Sequence, residues 1–307
     1  MNYLITIIGP TAIGKTALSI ALAKHFNCEI ISCDSRQFFK EMNIGTAVPS
    51  QTELNQVPHH FIQNKSIVEH YTVGDFEIDA IAKLDSLFVK NNIQIMVGGS
   101  GLYVDAVLQG LDSFPEIENT ITEQVQNEYN IQGINYLQNK LQGLDLNYYN
   151  KLVIENPQTL LNPQRMMRFV SVCLGSGKPY STFLNKDKNL RNFSPILIGL
   201  QADRATIYDR INQRVDLMME NGLLEEAENL YVHKDLNALQ TVGYRELFQY
   251  FNQEITLPFA IEEIKKNTRR FSKRQLTWFK KTDNVTWFDF ETQTNKIIDC
   301  INLAIKH

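Results

Sequence analysis

Apolar and polar positions along the first third of the chain predict short buried strands separated by helices. Residues 4–8 form an apolar run of strand length, 17–25 follow as a helix, and 29–33 and 93–97 read as two further strands. Residues 72–91 carry Val73, Phe76, Ile81, Leu84, Leu87 and Phe88 at helical spacing, while 45–60, with Pro49 and Pro58, read as an irregular polar loop that includes His59 and His60. From residue 111 the alternation stops. Four Asn/Gln-rich segments, 117–129, 133–141, 147–156 and 163–174, have helical character with no strand between them. Strand pattern resumes at 195–199, helices follow, and 285–290 supply a last strand. The expectation is an α/β fold: a mostly parallel sheet with helices on both faces, formed by residues 1–111 and 195–307 and interrupted by an all-helical insertion at 112–194.

The loop after the first strand adds chemistry to this pattern. Gly9, Pro10, Thr11, Ala12, Ile13, Gly14, Lys15 and Thr16 satisfy the P-loop spacing in the required strand–loop–helix context. In such a loop successive amides cradle an anion, the lysine adds a point charge and the threonine hydroxyl is offered to Mg²⁺. The core is therefore expected to be a P-loop NTPase-like parallel sheet. Read alone, the loop points to a nucleotide, but the strand at 93–97 ends in Gly98-Gly99-Ser100 where a nucleotide hydrolase would carry a Walker B aspartate. Those glycines fit either close approach of a ligand to bare backbone or a tight turn.

Asp34 closes the second strand, where open α/β sheets place their chemistry; as a general base, a magnesium ligand through water or a helix cap it fits equally. Arg210 and Arg214, one helical turn apart, fit a phosphate clamp or surface pairs with Asp209 and Asp216.

Composition narrows the class. The 307 residues are 43% hydrophobic and 21% charged, which describes an ordinary globular protein. No apolar run reaches about 18 residues and no basic leader precedes the first strand, so a cytoplasmic location is expected. Cys28, Cys33, Cys173 and Cys300 are scattered, as reduced core cysteines are. The net charge of −4 speaks against a nucleic-acid partner only on average. Lys265, Lys266, Arg269, Arg270, Lys273, Arg274, Lys280 and Lys281 occupy one stretch free of acidic residues, and on a helix the first six face away from Ile261, Ile264, Thr268, Phe271 and Trp278. One face is expected to meet the core and the other an anionic partner or solvent.

Six motifs occur together: GPTAIGKT from Gly9, DSRQ from Asp34, VGGSGLY from Val97, NPQRMMR from Asn162, TVGYRE from Thr241 and KRQLTWF from Lys273. In this order they resemble the bacterial tRNA dimethylallyltransferases across nearly the whole chain. The resemblance implies transfer of a dimethylallyl group from dimethylallyl diphosphate to N6 of adenosine 37 in tRNA, by a cytoplasmic, monomeric enzyme using Mg²⁺. It implies that the P-loop, Arg210 and Arg214 hold diphosphate, with Thr16 on the metal, and that Asp34, Lys15 and Ser100 are catalytic. It further implies that Asp34, Ser35, Arg36, Gln37, Ser100, Gln164, Arg165, Arg168, Gly243, Tyr244, Arg245, Arg269, Arg270 and Arg274 meet the tRNA. The chain departs from the family at Ser100, where threonine is usual, and at Arg270 and Lys280, where glutamine and arginine are common. A P-loop nucleoside or nucleotide kinase, an adenylate isopentenyltransferase and a non-catalytic RNA-binding module are the competing readings.

Overall fold

Residues 1–184 and 190–306 are described by the computed structural model. The chain forms two compact units, one from Met1–Gln109 and Leu190–His307, the other from Gly110–Asn189.

The first unit is built on six parallel strands: β1 (Asn2–Ile8), β2 (Ile30–Ser32), β3 (His59–His60), β4 (Ile93–Val97), β5 (Phe193–Gln201) and β6 (Val285–Asp289), in the order β3-β2-β4-β1-β5-β6. Alternation along β1 explains why both faces are covered. Ile5 and Ile7 pack with Ile20 and Leu22 of helix α1 (Lys15–Phe26), whereas Leu4 and Ile8 join Phe76 and Leu84 from a helix on the other face. The helices of the first stretch after α1 are α2 (Gln51–Leu54), α3 (Val73–Phe88), which carries Phe76 and Leu84, and α4 (Gly101–Gln109). The chain leaves β1 toward β2 and β3, returns through β4, and then crosses to β5 on the opposite side of β1. The ends of β1, β2 and β4 thus meet at a topological switch point, where such sheets bind ligands.

The second unit is helical: α5 (Asn119–Gln132), α6 (Ile134–Leu144), α7 (Leu146–Glu155) and α8 (Pro163–Ser176) enclose Val125, Leu137, Leu141, Met166 and Val170. Asn162 caps α8, its side chain accepting the Arg165 amide, with Pro163 at the first helical position. The remaining helices belong to the first unit: α9 (Arg204–Glu220), α10 (Leu223–Leu230), α11 (Tyr244–Phe251), α12 (Leu257–Phe279) and α13 (Thr294–Lys306).

Two expectations are corrected here. The insertion ends earlier than residue 194, because Arg191 already binds the first unit: its guanidinium donates to the carbonyls of Ala106 and Val107 and to Glu77 at 2.6–2.9 Å, and β5 begins at Phe193. Of the range expected for the insertion, 185–189 lie outside the described residues. His59 and His60 are not loop residues but a two-residue edge strand pairing with Ile30 and Ile31; His60 Nε2 lies 2.6 Å from Glu29 and His59 Nδ1 lies 2.7 Å from the Val57 carbonyl. A run this short has no periodicity to read.

Candidate active site

The P-loop takes its shape from backbone dihedrals that few residues adopt. Gly9 and Gly14 have φ of 145° and 106°, and Ala12 has φ of 64°. At Gly9 a side chain is also excluded by space, since a Cβ there would lie 2.6 Å from the Leu200 carbonyl oxygen. Gly14 heads α1 without a side-chain cap, so the first amides of the helix keep their capacity for an anion. Lys15 Nζ donates to the carbonyls of Gly9 and Pro10 at 3.0 and 2.7 Å. Burial lowers its pKa to about 8, with the positive charge of Arg214 adding to the fall and the carboxylate of Asp34 opposing it.

Two cavities open beside this loop. The first, of about 670 Å³, is lined by residues 11–17, by Arg210 and Arg214, and by the apolar side chains of Ile44, Ile62, Leu217 and Met218. Its lining joins the loop amides and two guanidinium groups to these apolar side chains, with Asn43, Glu53 and His59 also present. The second, of about 580 Å³, is lined by Ser35, Ser100, Val242, Phe271, Arg274 and Trp278 among others. Thr11, Asp34, Thr46, Ala47, Arg214 and Met218 belong to both cavities and form the wall between them.

Asp34 is therefore the one carboxylate shared by the two cavities among the described residues. Burial raises its pKa above the ordinary carboxylate value, against the Arg36 amide, which donates to Oδ1 at 3.2 Å, and the positive charges of Lys15, Arg36 and Arg214. A carboxylate so placed is a stronger base than a solvated one. Ser100 stands at the head of α4; its hydroxyl accepts the Ser35 amide and lies against the Ser35 hydroxyl, both at 3.2 Å. This contact fixes the residue that follows Asp34.

Both arginines reach the P-loop, Arg214 half-buried and Arg210 exposed. Arg210 Nε donates to the Ala12 carbonyl at 2.7 Å and its guanidinium covers the Phe290 ring, while Arg214 reaches Thr11 Oγ1 at 3.4 Å. Asp216 is taken instead by Lys265, at 2.8 Å.

Other sequence expectations are revised. Gly98 and Gly99 make room for the protein's own atoms: a Cβ at Gly98 would lie 2.5 Å from Cys33 Sγ, and one at Gly99 would strike the Gln275 amide. Tyr244 is 0% exposed and its phenol donates to Glu226 at 2.6 Å, so this side chain presents nothing to RNA, although Gly243 and Arg245 line the second cavity. Arg36 lines that cavity too, but its guanidinium donates to the carbonyls of Asn237 and Ala238, both at 2.9 Å. Gln37 lines the first cavity, not the second, and holds the carbonyls of Thr46 and Ala47.

On α12 the division into core and basic faces shifts. Phe271 and Trp278 are 38% and 40% exposed and line the second cavity; the buried side holds Ala260, Ile264, Ser272, Gln275 and Phe279. Lys265 and Lys266 are paired with Glu262 and Glu263, acidic residues lying just outside the basic stretch, and Arg269 donates to Asn212 at 2.6 Å. Arg270, Lys273 and Arg274 are exposed, as are Gln164, Arg165 and Arg168 on α8 of the helical unit.

Sequence reasoning missed Gln275. Only 5% exposed, it accepts the Thr11 amide at 2.8 Å and donates to the Gly99 carbonyl at 2.9 Å, tying the P-loop to the turn that carries Ser100. A glutamine on the apolar side of a basic helix was the signal available.

The fold defines a class: a P-loop-like α/β protein with two cavities that share Asp34 beside the loop. An IPP transferase model matches residues 37–282, and the chain belongs to that family. It is 72% identical over 307 residues to the tRNA dimethylallyltransferase of Flavobacterium psychrophilum, covering 100% of both chains, and 56% identical over 304 residues to that of Christiangramia forsetii, covering 99% of each. Among solved structures it is similar to the full-length tRNA isopentenylpyrophosphate transferase of Bacillus halodurans, with a TM-score of 0.72 and 35% identity over 100% of this chain and 96% of that one. A eukaryotic dimethylallyltransferase acting on tRNA shares the fold at a TM-score of 0.85 and 24% identity, over 100% of this chain and 80% of that one.

Proposed function

We propose that the protein transfers the dimethylallyl group of dimethylallyl diphosphate to N6 of adenosine 37 in tRNA, releasing diphosphate. The observation that carries this reading is the position of Asp34 in the lining of both a cavity formed by the P-loop, two arginines and apolar side chains and a second cavity lined by aromatic and basic side chains. The donor's two halves call for the two kinds of lining that the first cavity has, anion-binding and apolar. The adenine enters the second, since a base in an anticodon loop must be splayed out to reach an enclosed site and such bases are held by aromatic faces and guanidinium planes.

In the reaction N6 attacks the allylic C1, the C1–O bond breaks with its electron pair leaving on the diphosphate, and the N6 proton passes to the Asp34 carboxylate. The amides of the P-loop, Lys15, Arg210 and Arg214 stabilise the charge that develops on the leaving group. Ser35 and Ser100 hold the backbone beside Asp34 in register. Mg²⁺ fits the donor side: it asks for one or two protein oxygens and takes the rest from phosphate and water, and Thr16 lines that cavity. When bound, the ion supplies further charge neutralisation at the diphosphate. Arg165 and Arg168 of the helical unit, and Arg270, Lys273 and Arg274 of the first, supply cations for the tRNA backbone, and Gln164 supplies an uncharged donor. No described helix is long and apolar enough to cross a membrane.

Incubation with labelled dimethylallyl diphosphate and tRNA tests the reading. Label appearing as N6-dimethylallyladenosine at position 37 supports it. Transfer of phosphate from ATP to a nucleoside, or prenylation of free AMP in place of tRNA, overturns it.

A further inference from the structure

Residues 43–48 have no regular structure of their own and reach the wall between the cavities at Thr46 and Ala47. Thr46 and Ala47 line both cavities, and Ile44 and Val48 line the apolar part of the donor side. Gln37, inside the first cavity, holds the carbonyls of Thr46 and Ala47, but the amides of residues 43–45 are held from outside both cavities. Glu226, on α10, accepts the amides of Asn43 and Ile44 on one carboxylate oxygen at 3.0 and 2.8 Å, and the amide of Gly45 on the other at 2.9 Å. The phenol of Tyr244 donates to that second oxygen. Three successive amides converging on one point form the arrangement that binds a free anion; here the protein fills it with its own carboxylate. Gly45 completes the fit, because a Cβ there would lie 2.6 Å from the Tyr244 ring. Neither Glu226 nor Tyr244 lines either cavity.

We propose that Glu226, braced by Tyr244, is a positioning residue: through residues 43–48 it sets the passage by which the prenyl carbon reaches the acceptor and the length of hydrocarbon that the donor side admits. The proposal rests on the transfer reaction proposed above. In that reaction the migrating carbon passes beside Thr46 and Ala47, and a small displacement of a positioning element costs rate more than it costs binding. A Glu226→Gln side chain keeps the shape but leaves one carbonyl oxygen for amides that two carboxylate oxygens now accept, and its N–H₂ faces at least one of those N–H groups, so the anchor is weakened.

The test compares the wild type, Glu226→Gln and Tyr244→Phe on an anticodon stem-loop RNA with dimethylallyl and geranyl diphosphate as alternative donors, each variant's folded fraction being set by thermal melting. For Glu226→Gln the expected result is a fall of about tenfold or more in kcat per folded molecule, with KM for RNA and dimethylallyl diphosphate within about threefold of wild type. The preference for dimethylallyl over geranyl diphosphate narrows in the same variant. Tyr244→Phe moves both quantities in the same direction by less, and decides the matter if Glu226→Gln does not fold. Unchanged kcat per folded molecule together with an unchanged donor preference overturns the proposal. A wild type that transfers no prenyl group to RNA overturns the reaction instead, so the two failures are told apart.

Discussion

The two cavities that meet at Asp34 are built by different means. The side proposed for the donor rests mainly on one contiguous stretch, Gly9 to Thr16, with its backbone amides, two glycines in left-handed dihedrals and a helix N-terminus, and only Arg210 and Arg214 join it from afar. The acceptor side is assembled from side chains far apart in sequence: Ser100, Val242, Arg245, Phe271, Arg274 and Trp278. The difference follows from what each must hold. A diphosphate is a compact anion that any nest of amides will bind, whereas an RNA base needs planar faces and cations at set distances, which only side chains on separate elements provide. Substitutions on the donor side and at the wall should therefore act on rate, and substitutions on the acceptor side on affinity for RNA.

The largest effect is expected at the wall. Asp34→Ala removes the base and should lower kcat by about 10²- to 10⁴-fold while an anticodon stem-loop still binds. Near-normal turnover would remove Asp34 from the role of base. Lys15→Ala comes next, with a loss of about 10²- to 10³-fold in kcat/KM for the donor and an unaltered Kd for RNA.

The same two residues give the reaction its pH limits. The Asp34 pKa is raised, so the ionised base is lost as pH falls through a value above the ordinary carboxylate one. The Lys15 pKa is lowered to about 8, so its charge is lost from the free enzyme as pH rises through about 8. The profile of kcat/KM for the donor should therefore be bell-shaped. The alkaline fall should weaken in kcat, because bound diphosphate favours the charged lysine. A flat alkaline limb in kcat/KM would separate Lys15 from donor binding.

The same contrast explains how much was legible in the sequence. The P-loop, Asp34 at the end of β2, the parallel sheet and the helical insertion announce themselves through local spacing and periodicity, which are set by backbone geometry within a few residues. Phe271 and Trp278 read as core because helical periodicity assigns apolar residues to the buried side; it has no means of showing that this side also borders a cavity. Tyr244 sits inside a motif shared with the family, yet its phenol is spent on Glu226, a contact made only when α10 and α11 pack together. Lys265 and Lys266 looked free because their partners lie just outside the basic stretch or on α9.

Gln275 is the point where the contrast can be broken, since it touches both sides at once. Gln275→Ala leaves the Thr11 amide and the Gly99 carbonyl without their partner, and two such losses should cost about 2–4 kcal/mol of stability, visible as a lower melting temperature. It should also raise KM for donor and RNA together, unlike any substitution confined to one cavity. If KM for only one substrate changes, the two sides are not joined through this side chain.

The smallest effect separates cations that the sequence could not tell apart. Arg274 lies over the Phe271 ring at 5.6 Å and lines the acceptor cavity, so its charge is available to an RNA phosphate or base. Lys265 is held at 2.8 Å by Asp216 and at 3.2 Å by Glu262, so contact with RNA would require breaking both pairs. Each phosphate contact contributes about 0.7–0.9 to the slope of log K against log salt. Arg274→Gln should therefore weaken anticodon stem-loop binding and flatten that slope by nearly one unit, while Lys265→Gln leaves both unchanged. Donor KM should stay at its wild-type value in both variants. Equal changes in the salt slope for the two substitutions would mean that α12 meets RNA along its whole basic side, and that the ion pairs to Asp216 and Glu262 open when it binds.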